Sequence, residues 1–349
     1  MKTYLRNYEV SRTDVWAALA AWRSGESGHK NGHRVAEEYG TDAALVEEIY
    51  EEMRGRRLTF RPIRRYRRME PTNGKVRTIG VESVKQQVCD YLVTTLLADL
   101  YDARLGFYQV ASVRDKGQRL CRGALRRWVR EGGYHVKLDV RKCYPSTRKD
   151  VAMAVYTKYV GSEDVLYVIS AILGTYGRGL EIGSLFSLRT MQLVLSFGYH
   201  HVESLHKERR GRMVRLVAHQ IWHMDDVLLT GPSKRDLKMA VRSLERYLSS
   251  EFGLTLKPWK VARTCDAEPL DLGGWVVRER RATIRGATFL RGMRSFRDFE
   301  RRPTVGKARR CTAYWGWFAN GDNGGVMHRN HMGSTFAHAR SLVSRAERP

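Results

Sequence analysis

"QIWHMDDVLLTG", residues 220–231, sets two adjacent carboxylates inside an apolar run. Ile221, Trp222 and Met224 come before Asp225 and Asp226; Val227, Leu228 and Leu229 come after them. The pattern reads as strand, tight turn, strand, so the acids fall where a sheet is being built. Removing an unpaired carboxylate from water is expensive, and a cationic partner or a metal is the usual remedy. A second strand-like stretch, "YHVKLDVRKCYPS" (134–146), ends its alternating part on a third acid, Asp139, and breaks at Pro145. Three carboxylates delivered by adjacent strands would hold two divalent ions about 4 Å apart. Magnesium suits that work because it takes carboxylate oxygens and substrate phosphates together.

The charge balance points the same way. Among 349 residues, 62 Lys and Arg stand against 37 Asp and Glu, a formal net charge of +25. Such an excess favours a polyanionic partner, nucleic acid first. No apolar run reaches the roughly 18–20 residues of a membrane span, so no membrane partner is expected. "MKTYLRNYEVSR" has no apolar stretch behind its basic residues. The five cysteines lack a CxxC pair and read as reduced thiols, which with the first segment gives a cytoplasmic expectation.

Along the chain, Ser11 with Asp14 opens a helix carrying Val15, Trp16, Leu19 and Trp22. "SGESGHKNGH" (24–33) reads as a polar loop, and 42–54 as a second helix. In "LTFRPIRRYRRMEPTNGKVRTIGV" (58–81) two arginine-dense strands flank a turn at "PTNGK". Helical patterns follow over about 82–104 and 118–130, again from after Pro145 to about 176, and after the glycine-rich 177–184. Residues 233–253 form an amphipathic helix with Leu237, Val241, Leu244 and Leu248 on one side. "LTLKPWKV" and "LDLGGWVV" read as strands, and helices return around 306–319 and 335–347.

These blocks resemble, in content and order, those of reverse transcriptases. "HMDD" is similar to their YxDD box, with His223 where tyrosine is usual, and "DVRKCYPS" is similar to their earlier aspartate motif. "NGKVRTIGVESVKQQVCDYL" (73–92) resembles the fingers segment that meets the incoming triphosphate. "GLEIGSLFS" (179–187) resembles the segment under the templating base, and 253–261 and 270–277 resemble the last two blocks. The likeness runs from about residue 55 to 280. The Ile-Gly-Ser triplet at 182–184 and "CTAYWGWFANGDN" (311–323) are closest to the reverse transcriptases of diversity-generating retroelements. Leu188 departs from their pattern, which has glutamine there, and admits the unclassified and abortive-infection enzymes of phage defence as a neighbouring branch.

The resemblance implies an α+β right-hand polymerase. Its parts would be an N-terminal helical extension (1–54), fingers (55–133), palm (134–146), a fingers/palm insertion (147–184), palm again (185–278) and a short helical thumb (279–349). It implies two magnesium ions, with manganese able to substitute, held by Asp139, Asp225, Asp226 and the carbonyl of Val140. Arg68, Lys75, Arg77 and Lys260 would meet the triphosphate of the dNTP; the turn position of Pro71 is where the family usually adds a lysine. Tyr144 would exclude a 2′-hydroxyl. Ile182 and Gly183 would lie beneath the template–nucleotide pair, an aliphatic Ile182 lowering fidelity. Leu272, Gly273, Gly274 and Trp275 would form the primer grip. The arginines of "KGQR" (116–119), "RRGRMVR" (209–215) and the region after 278 should track phosphate backbones.

The implied function is RNA-directed DNA synthesis, dedicated to a specific RNA in a diversity-generating retroelement. The implied partners are an RNA template or noncoding RNA, a DNA primer and product, and either a small basic accessory protein or a second polymerase subunit. One alternative is a phage-defence enzyme making DNA from a noncoding RNA or without a template. Another, from a different class, is a catalytically idle RNA-binding protein that keeps the fold.

Overall fold

Ser11 starts the first helix, α1 (Arg12–Ser24), with a capping box: its hydroxyl accepts from the Asp14 amide, and the Asp14 carboxylate accepts from the Ser11 amide at 2.8 Å. Val15, Leu19 and Trp22 are buried along one face, whereas Trp16 is exposed. The computed structural model describes residues 2–69 and 74–346. With 56% helix and 16% strand it is an α+β protein. The chain divides into two units. The first comprises Met1–Gln109, Asp139–Ser204 and Val241–Lys257; the second comprises Val110–Leu138, Leu205–Ala240 and Pro258–Pro349.

Unit 1 is helical apart from one ribbon. The polar stretch 24–33 is not a loop: it folds into α2 (Glu26–Asn31) and the start of α3 (His33–Tyr39). Glu26 and Lys30, one turn apart, pair across α2 and support it. After α4 (Asp42–Arg54) comes a two-stranded ribbon, β1 (Arg64–Met69) and β2 (Val76–Val81). The expected turn at Pro71 lies outside the described residues. The helical run expected over 82–104 breaks at Leu97 into α5 (Val84–Leu96) and α6 (Ala98–Arg104). Helix α5 is the axis of the unit. Its Val88, Cys89, Leu92 and Val93 are buried, and α1, α4, α10 (Glu163–Thr175) and α11 (Leu185–Ser204) pack on it. The short α8 (Cys143–Ser146) and α9 (Lys149–Thr157) complete this part, with Lys142 taking a left-handed conformation (φ 46°) at the entry to α8.

Unit 2 holds a four-stranded sheet in the order β6-β7-β3-β8. Its strands are β3 (Tyr134–Asp139), whose last residue is where the chain passes into unit 1, β6 (His219–His223), β7 (Asp226–Gly231) and β8 (Val261–Arg263). Strands β6 and β7 form a hairpin in the register Trp222↔Val227 and His223↔Asp226, as the apolar flanks of the double aspartate predict. The strand expected over "LTLKPWKV" is not continuous. Pro258 has no N–H to donate, pairing before it is limited to a bridge between Leu256 and Val140 in unit 1, and β8 begins only at Val261.

A smaller sheet, β11-β10-β9, comprises β9 (Leu270–Leu272), β10 (Trp275–Val277) and β11 (Ala282–Ile284). Helix α7 (Gly117–Glu131) packs on β9 and β10; its Cys121, Ala124, Leu125, Trp128 and Val129 form the buried stripe, while the arginines interleaved with them lie off it. A second ribbon, β4 (His206–Arg209) and β5 (Arg212–Arg215), has no counterpart in the sequence reading. Helices α13 (Gly286–Arg301), α14 (Val305–Asn320), α15 (Gly324–Arg329) and α16 (Met332–Ala346) pack together at the C-terminal end. Helix α13 lies within the stretch expected as a helical thumb but was not singled out by its pattern, although Met293, Phe296 and Phe299 are buried at helical spacing. The long α12 (Lys234–Phe252) begins in unit 2 and ends in unit 1.

Leu228, fully buried in β7, anchors the strand that follows the paired acids. Leu228→Ala is expected to lower the unfolding free energy in urea by about 2–5 kcal/mol, through lost burial plus an unfilled cavity.

Candidate active site

The two-residue turn between β6 and β7 consists of Met224 and Asp225. Met224 has φ 56°, a left-handed conformation that a non-glycine residue adopts only under local constraint. The turn brings Asp225 and Asp226 to the end of the sheet, where both are half-buried, while Ile221, Trp222, Val227 and Leu228 are fully buried. The acids therefore do not stand in the middle of the sheet, as their apolar flanks alone suggest. Strand β3 is the sheet neighbour of β7. On it, Lys137 places its ammonium 3.9 Å from an Asp226 carboxylate oxygen.

Asp139 is the last residue of β3. Within unit 1, its Oδ2 accepts from Lys257 Nζ at 2.6 Å, and its backbone carbonyl accepts from the Lys257 amide at 2.9 Å. Its Oδ1 is buried and has no hydrogen-bond partner. Lys260 is highly exposed and pairs with Glu268 at 3.1 Å in unit 2, so the lysine that meets the strand-end acid is Lys257. The sequence "KPWK" offered both, three residues apart. Which one faces the acid depends on the Leu256–Val140 bridge.

A hydrogen-bonded relay holds His223 from behind. Trp275 Nε1 donates to Gln118 Oε1 at 3.0 Å, and Gln118 Nε2 stands 3.2 Å from His223 Nε2. An indole N–H only donates, so it fixes which end of the amide is oxygen, and the amide nitrogen must then be the donor to His223. The imidazole accepts at Nε2 and is neutral. Burial independently pushes its pKa below the ordinary value. Gln118, absent from the sequence reading except as part of "KGQR", thus joins α7, the aspartate hairpin and the β9–β10 hairpin.

The turn of that second hairpin is Gly273-Gly274, with φ 58° and 87°. Two successive positive φ values are the signature of the tight hairpin turn that glycine allows. A Cβ on Gly273 would stand 3.2 Å from the His223 ring and from Cys121 Sγ; one on Gly274 would lie 2.7 Å from the Trp317 ring. Close approach, and not only turn geometry, requires these glycines. Leu272 and Trp275 are buried on either side.

Unit 1 carries the remaining predicted residues. The ribbon register sets Arg68 directly opposite Arg77, both exposed, with exposed Lys75 one residue before β2. Ile182 and Gly183 cross beside the same ribbon: the Gly80 amide donates to the Ile182 carbonyl at 2.8 Å, and Arg65 pairs with Glu181 at 2.6 Å. Gly183, at φ 116°, lies so close that a Cβ would sit 2.6 Å from the Gly80 carbonyl oxygen. Tyr144, half-buried in α8, accepts at its carbonyl from the Leu180 amide at 3.1 Å. The Val140 side chain is buried.

Beneath this segment lies a feature that sequence reasoning did not find. Asp90 Oδ2 accepts from Ser184 Oγ at 2.7 Å and from the Phe186 amide at 2.9 Å, which ties the start of α11 to α5. Its neighbour Glu82 accepts from Gln86 Nε2 at 3.1 Å and from the Tyr176 hydroxyl at 3.2 Å. The two carboxyls are buried against each other. Burial raises both above the ordinary carboxylate range, with mutual repulsion adding to the effect on Glu82. A proton shared between them lets two acids occupy one apolar site.

Among the described residues, no group of three or more histidine, cysteine, aspartate and glutamate side chains is already arranged to hold a metal ion. The donor chemistry nevertheless fits a hard divalent cation. Among the described residues, one buried carboxylate oxygen of Asp139 has no hydrogen-bond partner, and lysines pair with the other oxygen of Asp139 and with Asp226. No family model matches the chain, and no curated protein matches its sequence.

The buried pair makes stability depend on pH. A carboxyl whose folded pKa is raised contributes fully below its unfolded value of roughly 4, and that contribution is lost as pH rises through the folded value. Thermal unfolding midpoints are therefore expected to fall between pH 5 and pH 8. In Glu82→Gln, which keeps a neutral partner for Asp90 at every pH, this fall is expected to be markedly shallower.

Proposed function

We propose that the chain is an RNA-directed DNA polymerase that adds deoxynucleotides to a 3′ end, in a right-hand arrangement of fingers, palm and thumb. The observation that carries this reading is the strand pattern. Asp226 opens β7, Asp139 closes the neighbouring strand β3, and Asp225 occupies a strained turn between paired strands. The six sequence blocks shared with reverse transcriptases, in the same order, are the second support.

Asp139, Asp225, Asp226 and the Val140 carbonyl would hold the two magnesium ions. When bound, such ions activate the attacking 3′-hydroxyl and neutralise charge on the departing pyrophosphate. The chain's own groups do the rest. Lys257 and Lys137 balance the acids until the ions and substrate enter, and their flexible stems let them leave. Arg68 and Arg77, set opposite each other, offer planar forks to the triphosphate, with Lys75 beside them. Tyr144 would stand under the sugar and exclude a 2′-hydroxyl. Gly273 and Gly274 let the hairpin backbone approach closely, as a grip on the primer strand needs. The exposed arginines supply the sequence-independent hold on nucleic acid. The Ile-Gly-Ser triplet favours the diversity-generating role over the phage-defence one; an idle RNA-binding protein is the reading to be eliminated.

Primer extension on an RNA template with magnesium tests this directly. Wild type is expected to make DNA, and Asp225→Ala is expected to lose activity by about 10²–10³-fold or more, the scale of a lost electrostatic group at the reacting centre. Absence of any magnesium-dependent product from wild type would leave the idle reading in place.

Ile182 offers no polar atom to hold the template–nucleotide pair in register. Ile182→Gln is expected to reduce misincorporation, read by sequencing the product at each template base; an unchanged error frequency would remove this residue from the account of fidelity.

A further inference from the structure

The β4–β5 ribbon of unit 2 is built in a way that its own stability does not explain. Its strands pair His206↔Arg215, Lys207↔Val214, Glu208↔Met213 and Arg209↔Arg212. Apart from half-buried Lys207, every residue in both strands is exposed, so neither face covers a core. A two-stranded ribbon without a buried face is marginal in water. Two further features make it worse. Arg209 and Arg212 face each other across the last register pair, where like charges destabilise. Arg210 adopts φ 52° ahead of Gly211 at φ 72°, in a turn that prefers asparagine before glycine.

The base of the ribbon is secured. Lys207 pairs with Asp236 at 2.5 Å, and the Leu216 amide donates to the Leu205 carbonyl at 3.0 Å. The distal part then carries Arg209, Arg210 and Arg212, with Arg215 at the base, against the single acid Glu208. A polyanion resolves this cost, because phosphates placed between the Arg209 and Arg212 guanidiniums turn repulsion into attraction.

We infer that the β4–β5 ribbon is a docking arm for double-helical nucleic acid, gripped through its phosphate backbone. The ribbon has no Phe, Tyr or Trp, and sites for single strands combine cations with rings on which bases stack. It has no Asn or Gln with which to read adenine edges, and the arginines are assigned to the phosphate backbone. Val214, 40% exposed and on the same face as Arg209 and Arg212, supplies apolar contact to the sugar edge of a groove. The inference is independent of the polymerase reading, since binding is measured without nucleotides or metal.

The test is fluorescence anisotropy of a short blunt RNA duplex with the full chain over a range of salt, wild type against the combined variant Arg209→Thr, Arg210→Asn, Arg212→Thr. Those substitutions remove the opposed charges and the strained arginine, so the thermal midpoint is expected to stay level or rise. Affinity for the duplex at low salt is expected to fall about tenfold or more, and the slope of log K against log salt to drop by about two to three, near 0.7–0.9 per lost phosphate contact. The loss on single-stranded RNA of the same length is expected to be smaller. No binding of the duplex by wild type, an unchanged slope, or equal losses on duplex and single strand would each overturn the inference.

Discussion

One amide side chain constrains the end of unit 2 that carries Asp225 and Asp226. Gln118 accepts from Trp275 and donates to His223, and because an indole can only donate, neither contact can be reversed. The aspartate hairpin is thereby held against α7, and so is the glycine turn of the β9–β10 hairpin. The turn carrying Met224 and Asp225 is strained, and a strained turn persists only where its surroundings over-determine it. Buried Trp222 and Val227 on the hairpin, and the relay behind His223, supply that determination.

Charge is the second theme. The acids at the strand ends are answered by lysines, Lys257 for Asp139 and Lys137 for Asp226. A lysine is a compact, mobile point charge, and each of these pairs balances an acid without fixing it through a bidentate fork. The arginines are used differently. In two exposed ribbons the backbone register sets arginine opposite arginine, Arg68 against Arg77 and Arg209 against Arg212. In unit 1 the buried Glu82 and Asp90 resolve the opposite problem, two negative groups in one apolar site, by retaining a proton. Their reward is rigidity: Asp90 accepts from Ser184 and the Phe186 amide and so holds the segment that carries Ile182 and Gly183.

Much of the fold was legible because its signals are local. The Ser11–Asp14 cap, the strand–turn–strand around Asp225 and Asp226, the Gly273-Gly274 hairpin and the amphipathic helix α12 each follow from residues a few positions apart. The reading of 24–33 as loop failed for a related reason. Glycine and polar residues normally punctuate, but here the Glu26–Lys30 pair supports a short helix among them. "LTLKPWKV" looked like a strand by alternation, and Pro258 removes the donor that a strand would need.

The sequence by itself determined which segments become strands, turns and helices around the acids, and which acidic, basic and glycine residues lie on them. Those choices follow from backbone sterics, capping and hydrophobic period, which act over a turn or two of chain. Only the tertiary structure decided that Lys257 and not Lys260 meets Asp139, that Gln118 lies between Trp275 and His223, that Arg68 faces Arg77, and that Glu82 and Asp90 share a buried site. Each of these pairings turns on register or on packing between segments distant in sequence. A side chain's partner is set by what long-range burial brings alongside it, and periodicity along the chain carries no record of that.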